Sequence, residues 1–528
     1  MIYLLAPGDH DAAAVVVQAA LERSCGRRQV QRISISQWLS LSAEKSGLLS
    51  VVINPPVAWS SAVERALEKR GSKMIIFGRL PKDLADLLHA INHPIDEAFI
   101  RATQCAPADA NSNSSSPMTI EYNELPGLDK SPVLSRPCLR YDFTDEWNNL
   151  GYGAIRADES MWALCQLVQL PRSNLLAALK LQSKVIGAYA GLWMNNLIDN
   201  ATLWFNRSVG PVDSPEWYLV ERFISKTGFP DAACQPVLSE IPFGFDAAVT
   251  MRLDCDEDVE SARPLWAAYQ KMKVPFSLAL HGNMLSEERH HKLPREVLER
   301  GGALLSHSAT HAPHWGGDYM AALEEGALSA QIIEKITGRR VRYAVSPFHQ
   351  TPSYARAGLA DAGYSGCIGG IISNEDNFLL GRSGIPPGGV AGFIGHSQQC
   401  MLHGDCMLNE GDSLLVFKQA FDTAKASRTF FGYLDHPFSE RYSYGWRTEE
   451  QRINEHVKFV SYMKNQGSVL FANESDAMDF LYDRSTIEVW QNNGRFKIHL
   501  PSDKLSKLSH SVEYGGNIYR VPVMDMEL

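Results

Sequence analysis

Side chains that can bind a metal ion or carry a proton recur where apolar runs end in the second half of the chain. They are, in chain order, Asp254, Asp256, His281, His307, His311, His349, Asp435 and His436. In a parallel β/α barrel the carboxyl ends of the strands meet at one face, and that face carries the active site. None of these residues would mean much alone, but their shared position at strand ends predicts a single site.

Two of these groups have the composition of a hydrolytic metal site. His307 and His311 lie four residues apart, so both imidazoles can face one cation, although such a pair is weak evidence by itself. Segment 252–258 is rich in carboxylates, and two interpretations are open. It can be a plain turn in which Asp258 caps the next helix, or it can bind a divalent cation that offsets the repulsion between the like charges. One carboxylate and two neutral imidazoles leave a coordination position open for water, and a second carboxylate can act as a base.

Seven short apolar runs separated by helical patterns must position these residues. The runs are 247–254, 275–281, 303–307, 342–348, 366–372, 429–435 and 468–472. Strands that alternate with helices form parallel sheets, and about seven such repeats favour a barrel over an open sheet. We therefore predict an α/β protein with a distorted (β/α)7-type barrel over residues 241–484.

The flanking segments predict two further units. Through the first hundred residues short apolar runs alternate with amphipathic patterns, which predicts an α/β parallel-sheet, Rossmann-like domain over residues 1–240. No Gly-x-Gly-x-x-Gly follows its first run, so the loop there is predicted to be a plain turn and not a nucleotide site. The domain as a whole can still bind a nucleotide, bind a partner protein or extend the substrate groove of the barrel. Residues 105–118 are rich in Ala, Asn and Ser and predict a flexible loop, and the alternating pattern of residues 485–528 predicts a small antiparallel β appendage.

Composition excludes several classes of function. The 528 residues carry 50 Lys and Arg against 60 Asp and Glu, a net charge of -10, and so lack the basic footprint of a nucleic-acid-binding protein. No run reaches the roughly 20 apolar residues that span a bilayer, and the first residues lack the basic start of a signal peptide. We expect no transmembrane segment, a cytoplasmic location and free thiols at the nine cysteines.

The ordered motifs resemble those of the polysaccharide deacetylase superfamily, carbohydrate esterase family four, over about residues 245–480. An Asp-x-Asp pair ends the first barrel run, His-x-x-x-His follows about fifty residues later, and 334–342 leads into Ser-Pro-Phe at 346–348. Leu-Ala-Asp-Ala-Gly-Tyr at 359–364 and a late run that ends in His436 complete the order. The Arg-x-Asp-x-Asp form of the first motif is also similar to the aminoarabinose-lipid deformylase branch, so a formyl leaving group stays open beside acetyl.

The resemblance implies a role for each residue type. It makes Asp256, His307 and His311 the metal ligands, Asp254 the general base and His436 the general acid. The implied metal is Zn²⁺, with Co²⁺, Ni²⁺ or Mn²⁺ as substitutes. The implied activity is a metal-dependent carbohydrate N-deacetylase that acts on an amino sugar of a cell-surface glycan or its precursor. Further residues expected to contact the carbohydrate or support the site are Arg252, His281, Trp315, Pro347, Phe348, His349 and Asp435.

One departure from the family pattern keeps an alternative function open. The Arg-Pro-Pro-Tyr-Gly motif appears here as 345–349, Val-Ser-Pro-Phe-His, so the arginine that braces the base is absent. Arg252 can replace it if it reaches Asp254; without it, the barrel would be an inactive glycan-binding or scaffolding module. Two rival sites are weaker: 400–406 has Cys and His without zinc-finger spacing, and 395–399 lacks the final Gly of a nucleophile elbow.

Overall fold

The structure is a computed structural model of the chain. It describes residues 1–104, 118–138, 154–211, 214–226, 232–370, 382–398, 400–439, 441–492, 495–522 and 526–527. The predicted flexible loop lies outside the described residues except for Met118, which begins a strand.

The first half of the chain forms strands that alternate with helices, then an antiparallel group of strands. Its strands are β1 (Ile2–Leu5), β2 (Val30–Arg32), β3 (Leu49–Ile53), β4 (Lys73–Phe77), β5 (Ile91–His93), β6 (Met118–Tyr122), β7 (Ser135–Pro137), β8 (Leu167–Gln169), β9 (Leu175–Leu181), β10 (Lys184–Asn195) and β11 (Asn200–Phe205). Its helices are α1 (Asp11–Cys25), α2 (Ile35–Glu44), α3 (Ser60–Leu67), α4 (Lys82–Leu87), α5 (Glu97–Gln104) and α6 (Ser214–Ser225).

The sheet of this half is mixed, whereas the sequence predicted a parallel sheet. Its order is β2-β1-β3-β4-β11-β10-β9-β6-β7, and pairing is parallel only from β2 to β11. The remaining strands pair antiparallel. A two-residue turn at Gln182 and Ser183, both with positive φ, joins β9 to β10, and such a turn forces the two strands into a hairpin.

The second half contains a parallel strand and helix repeat followed by short antiparallel strands. Its strands are β12 (Val237–Leu238), β13 (Ala247–Cys255), β14 (Ser277–Leu280), β15 (Ala303–Ser306), β16 (Tyr343–Val345), β17 (Gly366–Gly370), β18 (Ile394–Gln398), β19 (Cys400–Met401), β20 (Phe431–Asp435), β21 (Val469–Ala472), β22 (Glu488–Asn492), β23 (Arg495–His499), β24 (Ser511–Tyr514), β25 (Asn517–Arg520) and β26 (Met526–Glu527). Its helices are α7 (Arg263–Met272), α8 (Lys292–Glu299), α9 (Tyr319–Thr337), α10 (Ser353–Asp361), α11 (Leu415–Ala426), α12 (Glu449–Lys464) and α13 (Glu474–Thr486).

The parallel strands form a half-barrel sheet with the strand and helix repeat that the sequence predicted. Their order is β18-β17-β16-β15-β14-β13-β20-β19, with β21 also on β13, and each of the seven predicted runs contains one of these strands. The sheet has two strands that were not predicted, β18 and β19. They lie at the two ends of this order but are separated in the chain by only one residue, and β18 pairs with β17 while β19 pairs with β20.

The tail is antiparallel, as predicted, but it does not stand apart. Strand β22 pairs with β23, and β24 pairs with β25. Strand β12, which precedes the first barrel strand, pairs with β24. The tail is therefore fixed at the amino-terminal end of β13. No helix in the described ranges is long and apolar enough to cross a bilayer.

Candidate active site

Strand register brings the predicted acidic and imidazole residues to one edge of the half-barrel. All nine residues of β13 are buried, and Asp254 lies opposite Ala279 of β14 while Leu253 lies opposite Asp435 of β20. Because these strands are parallel, the loops after them emerge at the same edge. The edge therefore collects side chains from four strand ends, those of β13, β14, β15 and β20.

Asp256, His307 and His311 meet at this edge. One carboxylate oxygen of Asp256, Oδ1, lies 3.2 Å from Nε2 of His307 and 3.3 Å from Nε2 of His311. The three potential ligand atoms all lie within 4.8 Å of one another. Burial would raise the pKa of Asp256, but the two imidazoles hold it well below its usual range, so the carboxylate is ionised.

The donor set fits a divalent cation. Oδ1 of Asp256 is buried and makes no hydrogen bond, although two imidazole nitrogens face it. Nδ1 of His307 lies 3.1 Å from the carbonyl oxygen of Val345, which holds this nitrogen as the N–H donor and leaves Nε2 as a ligand. One carboxylate and two imidazoles with these orientations are typical of zinc and related metals.

The two loops that carry the site residues are unusually strained. Residues with left-handed φ in these loops are Ser308, His311, His314, Trp315, Phe348 and His349. None of them is glycine, and each such conformation has a cost that surrounding structure must offset. Backbone strain of this kind is concentrated at functional sites.

Arg252 reaches Asp254, which is the contact that a replacement for the missing motif arginine requires. Its Nε and Nη2 lie 2.6 and 3.3 Å from the two carboxylate oxygens of Asp254, and its Nη1 lies 3.2 Å from Oε1 of Glu474. Burial would raise the pKa of Asp254, but the Arg252 guanidinium lowers it below the usual value, so the Asp254 carboxylate is ionised. Because Arg252 has no exposed surface, it supports Asp254 and does not contact substrate.

Glu474 gives this cluster a dependence on pH. Burial raises its pKa to about 7, although Arg252 opposes the shift. In the unfolded chain the pKa of this carboxyl is about 4.5, which is lower than in the folded protein. The contribution of Glu474 to stability is therefore complete below pH 4.5 and is lost as the pH rises through 7.

The substitution Glu474→Gln keeps a hydrogen-bond acceptor for Arg252 but removes the titrating group. The free energy of unfolding of this variant, relative to wild type, should rise by roughly 2–3 kcal/mol from pH 5 to pH 8 in urea titrations. An unchanged difference would contradict the assignment.

His436 lies on the other side of Asp256. Its Nε2 is 3.5 Å from Oδ2 of Asp256, and its ring stacks on Tyr444 with centroids 4.0 Å apart. Burial lowers the pKa of His436 to about 4, so the imidazole is neutral near pH 7. Nδ1 of His436 lies 3.0 Å from Nε2 of His403, which fixes the orientation of the ring.

Asp435 was expected to contact carbohydrate or support the site, and its placement favours support. It is fully buried, and its carboxylate accepts hydrogen bonds from the backbone N–H of His436 (2.7 Å), from Nε of Arg452 (2.7 Å) and from His456 (3.0 Å). The nearest ring nitrogen of His403 is 3.8 Å away. Asp435 therefore holds the backbone of His436 in place through a hydrogen bond, while His403 contacts the imidazole of His436.

The remaining expected contact residues divide into buried and accessible ones. Trp315 has no exposed surface, and its indole N–H faces Oγ of Ser346 at 3.4 Å, so it packs inside its loop and does not contact a carbohydrate. Pro347 is also buried. Phe348 is 39% exposed, with its ring 4.8 Å from that of His311, and can contact a ligand beside the metal site.

Two further imidazoles line the same edge. Nδ1 of His281 lies 3.4 Å from the backbone oxygen of Asp256, and its ring centroid is 5.6 Å from that of His311. His349 is partly buried, and burial together with the charge of Arg252 lowers its pKa to about 3. The His281 ring therefore lies beside the trio of Asp256, His307 and His311.

Three residues of the site were not predicted from the sequence: His403, Tyr444 and Glu474. His403 follows the two-residue strand β19, which has no recognisable pattern, and it lay in a segment interpreted as a weak metal motif. Glu474 begins α13, where its neighbour Asn473 caps the helix, so a plain helix start was the only visible signal. Tyr444 lies in the loop after β20 and carried no signal.

Comparison with known proteins gives similarity in fold only. No protein-family model matches the chain, and no curated protein matches it. Among solved structures, a protein assigned as a polysaccharide deacetylase from Mycobacterium smegmatis is 13% identical, covers 48% of this chain and 96% of its own, and has a TM-score of 0.37. Puue allantoinase is 14% identical over 47% of this chain and 94% of its own, with a TM-score of 0.37. A family 4 acetyl xylan esterase from Clostridium thermocellum, in complex with a cobalt ion, is 11% identical, covers 45% of this chain and 95% of its own, and has a TM-score of 0.30. With such scores, residue roles must come from the geometry of the site.

Proposed function

We propose that this chain is a metal-dependent hydrolase that removes an N-acyl group, acetyl or formyl, from an amino sugar of a cell-surface glycan or its precursor. The observation that supports it is the arrangement of Asp256, His307 and His311 with Asp254 and His436 nearby. Asp256 contacts both imidazoles of the trio through one oxygen and faces His436 through the other. A ligand set with a base and an acid beside it is what amide hydrolysis requires.

The side chains have separate tasks in this reaction. When bound by Asp256, His307 and His311, a divalent ion, for which Zn²⁺ suits the donors best, would polarise the amide carbonyl and acidify water. Asp254 accepts one proton from the attacking water as the new C–O bond forms. The C–N bond then breaks, and the leaving nitrogen takes a proton from His436. The products are a free amine and acetate or formate.

The protonation state of His436 constrains the proton path. Because its imidazole is neutral near pH 7, His436 can donate a proton only after it has received one. We propose that the proton Asp254 takes from water reaches His436, so that one proton passes from the nucleophile to the leaving amine.

The contact of Arg252 with Asp254 favours this proposal over an inactive binding module. The inactive alternative depended on the missing motif arginine. Two guanidinium nitrogens of Arg252 now lie within hydrogen-bond distance of the base. A binding module has no need of a buried, charge-paired carboxylate beside a metal site.

Release of the acyl group tests the proposal directly. The purified protein would be incubated with sugar nucleotides, lipid-linked precursors and oligosaccharides that carry N-acetyl or N-formyl groups, and free acetate, formate and amine would be measured. We expect one class of substrate to release amine and acid in equal amounts. If no class reacts while the metal is bound, the binding-module alternative is favoured.

Metal content is the second test, and it distinguishes rival ligand clusters. His403 belongs to two other groups of potential ligands, with Asp435 and His436 and with Asp405 and Cys406. We expect about one equivalent of metal per chain by elemental analysis. His311→Ala should weaken metal binding at least about tenfold, since a direct ligand matters more than the outer partners whose loss costs that much. His403→Ala should retain the metal. The reverse pattern would move the metal to the His403 clusters.

A further inference from the structure

A second pocket lies in the tail, far from the site described above. Its polar lining consists of Lys504, Lys507, Ser509, His510 and Arg520, and its volume is about 420 Å³. Phe243, which precedes β13, donates its backbone N–H to the oxygen of Ser509. The pocket is therefore at the amino-terminal end of β13, and the nine residues of this strand place it about 30 Å from the metal ligands.

The cations of this pocket form no ion pair with a carboxylate among the described residues. In this part of the chain the Lys504 side chain donates to the backbone oxygen of Leu508, and the Arg520 side chain donates to Oγ of Ser509. Asp483 interacts electrostatically with Lys504 without forming an ion pair. Lys507 makes neither a hydrogen bond nor an ion pair with any residue that the structure describes. Within a chain of net charge -10, three cations around one cavity with no ion pair among the described residues are unusual. Their N–H groups remain available to an anion.

His510 supplies an independent sign of an unmet partner. The side chain is 1% exposed and is stacked on Phe480 with centroids 4.4 Å apart, yet neither ring nitrogen has a hydrogen-bond partner among the residues that the structure describes. Buried polar atoms without partners are rare and call for an explanation, such as a bound ligand or water. Burial lowers the pKa of His510 to about 3, and the positive charge of Lys504 adds to this effect. Positive potential therefore extends to the buried end of the pocket.

We propose that this pocket binds a phosphoryl anion of the phosphate monoester or diphosphate class. Lys504, Lys507 and Arg520 supply the charge, and guanidinium and ammonium groups are the usual protein partners of phosphate oxygens. Three cations exceed what a single carboxylate would require, whereas a diphosphate carries enough charge to engage them all. The site is separate from the proposed hydrolytic centre, so this inference does not depend on the proposed reaction.

Isothermal titration of the full chain with sodium pyrophosphate, and separately with UDP, tests the inference. The pocket variant Lys507→Gln/Arg520→Gln removes two exposed cations, and the control variant Lys335→Gln/Arg339→Gln removes two exposed cations from the end of α9. Both variants change the net charge equally. We expect the wild type and the control variant to bind about one pyrophosphate per chain, and the pocket variant to bind at least about tenfold more weakly.

The two probes also distinguish the source of the anion. Equal affinity for pyrophosphate and UDP would mean that the pocket recognises phosphoryl groups alone, and tighter binding of UDP would add a nucleoside contact; both support the inference. Equal binding by the wild type and both variants would overturn it, because the affinity would then come from nonspecific charge. Absence of binding by the wild type would overturn it as well. All four substituted residues are exposed at the surface, so loss of folding is not expected to confuse the result.

Discussion

Asp254→Asn is expected to keep the metal and the affinity for substrate while turnover falls by about 10²–10⁴-fold, the usual contribution of a general base. Asparagine has the shape of Asp254 and can still accept a hydrogen bond from Arg252, which lies 2.6 Å from the native carboxylate. It cannot take a proton from water. The expected result is therefore a filled, folded and nearly inactive site, measured as kcat and KM together with metal content.

Asp256→Asn is the matched comparison, since the same change is made two residues later. A neutral amide is a poor ligand, and Oδ1 of Asp256 is the atom that faces both imidazoles of the trio. This variant should lose metal and turnover together. If Asp254→Asn loses the metal and Asp256→Asn keeps it, the two roles are exchanged. Full activity in both variants would place the reaction elsewhere in the molecule.

The strands of the half-barrel could largely be predicted because buried parallel strands are continuous apolar runs. All seven predicted runs contain a strand, and residues at their carboxyl ends do come together. Strands β18 and β19 were not predicted, since one contains Gly, His, Ser and Gln and the other has two residues. They follow each other in the chain with one residue between them, and they pair with β17 and with β20 at the two ends of the predicted repeat.

Contacts within the site were predictable only where the chain itself fixes them. Arg252 and Asp254 are two residues apart on one strand and therefore project from the same face, so their pairing could be anticipated. Glu474 and His403 come from segments distant in sequence, and only the packing of α13 and the loop after β19 brings them to the site. The burial of Trp315 is likewise set by the fold of its loop, because an aromatic next to glycines fits either a packed or an exposed position.

The second large effect is expected from Arg252→Met, which should lower the free energy of unfolding by about 3–5 kcal/mol. Arg252 is fully buried and contacts two carboxyl groups, those of Asp254 and Glu474. Removal of a buried ion-pair partner costs this much because the remaining charge has neither water nor a counter-ion. Methionine has a similar length and no charge, so the volume of the site changes little.

A second substitution separates lost charge from lost packing. In Arg252→Met/Glu474→Gln one of the two stranded carboxyls becomes neutral, so part of the loss should be recovered, and more of it at pH 8 than at pH 5 because Glu474 titrates near pH 7. Urea unfolding of the wild type, both single variants and the double variant forms a complete cycle. If Arg252→Met costs less than about 1 kcal/mol, or if the double variant is no more stable than Arg252→Met at either pH, the guanidinium does not hold these carboxyls together. Another residue would then have to stabilise the charge and the position of Asp254.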